Sequence, residues 1–259
     1  MISTIRADFY RLFRTKGFWI SQLLLIAFIF ASIAGQTVGQ VGVNLEDTAG
    51  TASDAFAMDW TGVISVNAMT SMMQLFVYFM LPLLVIIIGH DFTKETYKNI
   101  LTVGVSRTKY FLSQYLSFAF MILLQVFYIY MVSFLTGMLF YGVGEGFNTN
   151  QIREWLFTGM IQFITIMAIM TISCFVTYLT RSNVLSIIIA VAFPFIPVLL
   201  TLIFPNTEWL RFFDFQSIIS NPAFIINNAK ETSQVTITAL LTIAILLTAT
   251  THQFKKMDL

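Results

Sequence analysis

FLSQYLSFAFMILLQVFYIYMVSFLTGMLF, residues 111–140, runs for 30 positions without Asp, Glu, Lys, Arg or His. A helix needs about 20 apolar residues to cross about 30 Å of hydrocarbon. This stretch therefore reads as a membrane-spanning helix. Working outward, further apolar runs cover about 18–38, 68–89, 155–180, 183–204 and 235–251. Together they predict an all-α integral membrane protein, with six transmembrane helices in one domain over 1–259. Composition agrees: 57% of residues are hydrophobic and only 10% are charged, against about 25% charged in soluble domains. The first run is too long for the apolar core of a signal peptide, and Gly35–Gly39 offers no clear cleavage site.

Threading the chain six times divides its charge unevenly. Arg6, Arg11, Arg14, Lys16, Lys94, Lys98, Arg107, Lys109, Arg181, Lys255 and Lys256 fall on one side, eleven of the 14 basic residues. Only Arg153, Arg211 and Lys230 fall on the other, with nine of the 13 acidic residues, among them Glu46, Asp47, Asp54 and Asp59. Basic loops stay in the cytoplasm. The expectation is a multi-pass protein of the cell (plasma) membrane with both termini cytoplasmic.

The absences narrow the function. The middles of the spans hold no ionisable residue, whereas ion-coupled carriers use such groups to bind the coupling ion. His90 and His252 stand at span ends and read as interfacial anchors. Cys174 is the only cysteine and reads as a small packing residue. No phosphate-cradling G-x-x-x-x-G-K-[ST], nucleophile elbow or zinc-protease motif occurs. The chain is expected to bind no cofactor and no metal and to catalyse nothing. Any energy for transport must come from another subunit. Gln22, Gln74, Gln125 and Gln162, with Ser133, Thr165, Thr171 and Ser173, read as interhelical hydrogen-bonding groups. The four glutamines are also candidates for lining a cargo path.

Two basic-side segments carry more specific information. In residues 2–16, Ile2, Ile5, Phe9, Leu12 and Phe13 recur at three- and four-residue steps, while Arg6, Arg14 and Lys16 fall mostly elsewhere. This is the pattern of an interfacial amphipathic helix with its bases toward anionic headgroups, ended by Gly17. The second segment, HDFTKETYKNILTVGVSRTK over 90–109, reads as a short amphipathic helix. Asp91 or Thr93 can cap it, Glu95 and Lys98 or Asn99 share an exposed face, Phe92, Thr96 and Ile100 lie near one another with Leu101 close by, and Gly104 ends it. Ser106 can then cap the next helix. Such a helix between two spans can dock into a groove of a soluble partner.

These residues resemble the ABC-2 type permeases, the membrane subunits of bacterial ABC exporters. The match runs through Asp91, Thr96, Ile100-Leu101 and Val105-Ser106-Arg107, and through Phe9–Lys16 followed by Phe18-Trp19. Glu95 stands where the family usually has Gly before Thr96, and Gln114 where Lys often follows the turn. The resemblance implies that 91–104 is the coupling helix, with Asp91, Phe92, Glu95, Thr96, Lys98, Ile100, Leu101, Ser106 and Arg107 at the ATPase contact. It implies a separate ATP-binding cassette subunit that carries ATP and magnesium, and a second permease copy or sister permease forming a dimer. It also implies short outer helices between spans five and six, where Trp209, Phe212, Phe213, Phe215 and Phe224 cluster and Asn221-Pro222 reads as a helix start. Pro194, Pro197 and Pro205 should kink span five. The small size and Ile-, Phe- and Asn-rich composition resemble Gram-positive permeases that export antimicrobial peptides. The alternatives are a non-transporting sensor or scaffold subunit and a lipid-modifying membrane enzyme. The first lacks a loop long enough for a sensor domain, and the second lacks clustered His and carboxylates at one face.

Overall fold

A computed structural model describes residues 2–38, 60–102, 104–144, 146–204 and 208–256. Among these the chain is all-helical. Most of the loop expected at 39–67, including Glu46, Asp47, Asp54 and Asp59, lies outside the described residues, as do Pro205 and the side chains of Asn99 and Leu101.

Helix α1, Ile2–Arg14, is amphipathic as expected. It ends at Thr15, whose backbone is extended (φ −80°, ψ 120°); Gly17 does not break it but lies in the first turn of α2, Lys16–Ala34. Hydropathy starts the second run at 68, but the helical path begins at Gly62. It consists of α3 (Gly62–Ser71), α4 (Met73–Phe79), α5 (Leu81–Leu84), a π turn (Val85–Gly89) and α6 (His90–Thr93). Thr61 Oγ1 caps α3 by accepting from Ile64 N at 3.2 Å. Pro82 has no N–H to give, which explains the break between α4 and α5.

After α7 (Thr96–Thr102) come the two long helices α8 (Arg107–Tyr141) and α9 (Thr149–Thr180), of 35 and 32 residues. At about 1.5 Å per residue each exceeds the hydrocarbon thickness. The fifth run is two helices, α10 (Asn183–Ala192) and α11 (Phe195–Ile203). Between them Phe193 and Pro194 keep helical dihedrals (φ −55°, ψ −43°; φ −59°, ψ −25°), so the prolines bend the path without ending it. A 3-10 turn (Glu208–Phe213), α12 (Phe215–Ile219) and α13 (Pro222–Asn227) provide the expected short helices. Asn221 caps α13, accepting from Phe224 N at 3.0 Å, with Pro222 first in the helix. Helix α14 runs Ala229–Lys256.

Five described helical stretches are long and apolar enough to cross a bilayer: Lys16–Ala34, Met73–Thr93, Arg107–Tyr141, Thr149–Thr180 and Ala229–Lys256. The sixth expected crossing rests on the bent pair α10–α11. Helix α9 is central, with 67% of its most apolar stretch buried in the protein, against 17% for α14. Exposed Ile237, Leu240, Leu241 and Ile245 on α14 thus suit lipid. Helices α3 and α8 are in close contact at Gly137, where an added Cβ would lie 2.3 Å from Ser65 Oγ and 3.0 Å from Gly62 Cα. Small residues let membrane helices pack without a side chain between them.

All four candidate glutamines are buried. Gln125 Nε2 donates to Gln22 Oε1 at 3.1 Å, joining α8 to α2. Gln162 accepts from Tyr130 OH at 2.7 Å and donates to Ile219 O at 2.7 Å and Thr70 O at 3.3 Å. It thereby ties α9 to α8, α12 and α3. Thr165 and Ser173 bond back to their own helix, as does Ser133. Thr171 Oγ1 also meets Tyr115 OH at 2.7 Å.

Candidate coupling site

The site begins with the π turn at Val85–Gly89. Such a widened turn often marks functional positions in helices, and here it presents the Ile87 carbonyl sideways. Arg11 Nη2 donates to that carbonyl at 2.8 Å and Gln114 Nε2 at 3.2 Å. One turn on, Asp91 is 2% exposed. Its Oδ1 pairs with Arg11 Nη1 and accepts from Thr96 Oγ1 at 2.8 Å. Its Oδ2 accepts from Tyr110 OH and Gln114 Nε2, both at 2.5 Å. Gln114 Oε1 accepts from Tyr178 OH at 2.7 Å. A single buried carboxylate thereby joins α1, α6, α7 and α8, and through Gln114 it reaches α9. Buried charge persists only when paired and fully hydrogen-bonded, and Asp91 meets that condition.

Arg11 bridges a second carboxylate, Asp8, at 3.3 Å. Asp8 Oδ2 also accepts from Ser117 Oγ at 3.3 Å. Burial raises the Asp8 pKa to about 6; Arg11 opposes the rise, Asp91 adds to it, and Ser117 opposes it. The folded chain then binds more protons than the unfolded chain between about pH 4 and 6. Stability from this group is therefore fullest at acid pH, falls as pH rises through that window, and is level above it. Asp8→Asn should flatten the slope, which amounts to no more than about 3 kcal/mol for a shift of two units. Thermal unfolding of both proteins from pH 4 to 7 checks this; parallel curves would refute it.

Around the carboxylate sits an aromatic cluster. Phe92 packs edge-on to Tyr178, with ring centroids 4.7 Å apart, and lies 5.3 Å from Tyr97. Tyr178 also meets Phe111 and Phe254 at 4.9 and 5.2 Å. Arg107 donates to the Phe254 and Lys255 carbonyls at 3.2 and 2.8 Å. It thus caps the C-terminus of α14, where cations are favoured.

The expected single helix over 91–104 is in fact two. Glu95 adopts the left-handed conformation (φ 52°) and separates α6 from α7. That conformation is disfavoured for residues with a Cβ and free for glycine, which explains why a Gly would suit this position. Neither Asp91 nor Thr93 caps α7. Ser106 holds the position before α8 without a side-chain cap. Phe92 points inward, not toward a partner. Glu95 is exposed and Lys98 half-exposed, and they pair at 2.8 Å; each stabilises the charged form of the other. Arg181, also exposed, lies close enough to act on both electrostatically. Ile100 is half-buried.

On α1, Leu12 is buried, Ile5 and Phe9 are half-buried, and Arg6, Phe13 and Arg14 are exposed. Phe9 packs edge-on to Phe120 at 5.8 Å. The residues of this network that the sequence did not single out for the site are Arg11, Asp8, Tyr110, Gln114 and Tyr178. One signal was available: Asp8 is the only acid in α1 and stands three residues before Arg11. Among the described residues no group of His, Cys, Asp and Glu could hold a metal ion.

The sequence model of the ABC-2 family transporter proteins matches residues 4–197, which includes this whole network except its α14 contacts. The chain belongs to the ABC-2 transporter family. No curated protein matches it. As an ABC-2 permease it is a membrane transport subunit, not a catalytic enzyme, and permeases of this family typically work with an ATP-binding cassette subunit. In this chain Asp91 ties the exposed residues 93–95, through Thr96, to α1 and α8.

Proposed function

We propose that this chain is the transmembrane subunit of an ATP-driven exporter, built as one domain over 1–259. Both termini and residues 90–109 face the cytoplasm, and each copy docks one ATP-binding subunit. The carrying observation is the buried Asp91 hub. It fixes α6 and α7 to α1, α8 and α9, while Glu95 is left exposed at the turn between α6 and α7, with Arg181 at the end of α9 nearby. Force on that turn passes into three helices, α1, α8 and α9, through the bonds of Asp91 and Gln114. The eleven-to-three basic split supports the orientation.

Two permeases, identical or sister chains, form the cargo path between them. Hydrophobic or amphipathic peptides are the cargo the chain suits best. A groove of about 240 Å³ lined by Phe127, Tyr130, Phe134, Phe147, Trp155 and Leu156 offers aromatic surface near the end opposite Asp91. Reconstitution of the permease and its ATP-binding partner in liposomes without an ion gradient tests the reading. Adding ATP should move an amphipathic peptide, and a hydrolysis-deficient partner should stop it. Transport that persists without ATP and collapses with a protonophore would overturn it.

A further inference from the structure

Helix α1 carries two different charged flanks. Asp8 and Arg11 turn inward onto Ser117 and Asp91. On the opposite flank Arg6, Tyr10 and Arg14 follow one another at four-residue steps, and all three are exposed. Such spacing places them in one row on a helix surface. The Arg14 guanidinium stands over the Tyr10 ring, 5.3 Å from its centroid, and donates to Tyr10 OH at 2.5 Å. Lys16 is exposed just beyond. Phe13 and Trp19 stand beside them, 48% and 53% exposed, and Trp19 Nε1 donates to Phe13 O at 2.8 Å. Among the described residues no carboxylate pairs with Arg6, Arg14 or Lys16, because the one acid of α1 faces the other way.

We infer that Arg6, Tyr10, Arg14 and Lys16 form a binding surface for anionic phospholipid headgroups, with Phe13 and Trp19 inserted at the acyl boundary. The charge complementarity points to this occupant. Three cations and a phenol offer donors to phosphate oxygens, and exposed aromatic rings beside them fit the membrane interface. Arg6 and Arg14 are eight residues apart, about 12 Å along the helix, so the row spans more than one headgroup. Headgroups held on this flank keep α1 in the position that presents Arg11 to Asp91 on the other. The inference rests on the proposal that α1 lies at the cytoplasmic membrane surface.

The test uses the permease alone, so it succeeds or fails independently of the ATP-binding partner. Trp60→Phe, Trp155→Phe and Trp209→Phe leave Trp19 as the only tryptophan, excited selectively over the nine tyrosines at the red edge of its absorption. Its quenching is then measured in bilayers of phosphatidylcholine containing brominated phosphatidylglycerol or brominated phosphatidylcholine. Each base near an anionic surface contributes about a fivefold preference. The brominated anionic lipid should therefore be favoured at Trp19 at least about tenfold. Arg6→Gln, Arg14→Gln and Lys16→Gln together should bring the preference to near parity, while Arg6→Lys with Arg14→Lys should restore most of it. High salt should weaken the preference. Equal quenching by both lipids in the parent, a preference untouched by the three glutamines, or no quenching by either lipid would each overturn the inference.

Discussion

Asp91→Ala is expected to destabilise the protein by about 3 kcal/mol, the low end of what removing one partner from a buried ion pair costs, because Arg11 is partly exposed and keeps Asp8. Four donors lose their acceptor at once: Arg11, Thr96, Tyr110 and Gln114. Arg11 keeps only Ile87 O and the longer contact to Asp8. Arg11→Met should cost less than Asp91→Ala, because Asp91 retains three neutral donors and Asp8, whose pKa is already raised to about 6, retains Ser117 and can take up a proton. The double variant Arg11→Met with Asp91→Leu should be more stable than the sum of the single losses predicts, since only Asp8 is then left without its cation. Unfolding of the four proteins in the same detergent measures the coupling. Single losses below about 1 kcal/mol that simply add would show that the network is incidental.

Ile100→Asp and Lys98→Glu are expected to abolish capture of the ATP-binding subunit while the permease still inserts. An unpaired charge buried at a protein contact costs about 2–5 kcal/mol, which is a loss of roughly 30-fold to several thousandfold in affinity. Ile100 is the stronger position, because it is half-buried on α7, the helix that Thr96 ties to Asp91. Lys98→Glu also places two acids side by side with Glu95. Thermal unfolding of each variant separates a docking defect from a folding defect. Undiminished capture by both folded variants would remove 96–102 from the contact.

The membrane spans were legible because hydropathy is a local property, and each run over 111–140 or 155–180 announces itself. Their ends were less legible. Helix α14 begins at Ala229, well before the apolar run at 235, because Lys230, Glu231 and Thr232 are polar yet helical. The break of α10 from α11 was visible in Pro194, whereas the π turn at Val85–Gly89 leaves no mark in a run of apolar residues. The segment over 90–109 was singled out, but its interior was read inside out. Asp91 looked like a cap because a cap is the local use of an aspartate. Its true partner, Arg11, stands 80 residues away, and no periodicity reports a contact between two separate helices. Glu95 was visible as a departure from glycine. Its meaning emerged only with the left-handed backbone there.

In the proposed function this chain transmits another protein's ATP hydrolysis across the membrane. The decisive measurement is purification of the affinity-tagged chain from its native membrane in mild detergent. A soluble nucleotide-binding subunit should co-purify in fixed proportion and hydrolyse ATP, and Ile100→Asp should release it. A folded chain that purifies with no nucleotide-binding protein would overturn the proposed function.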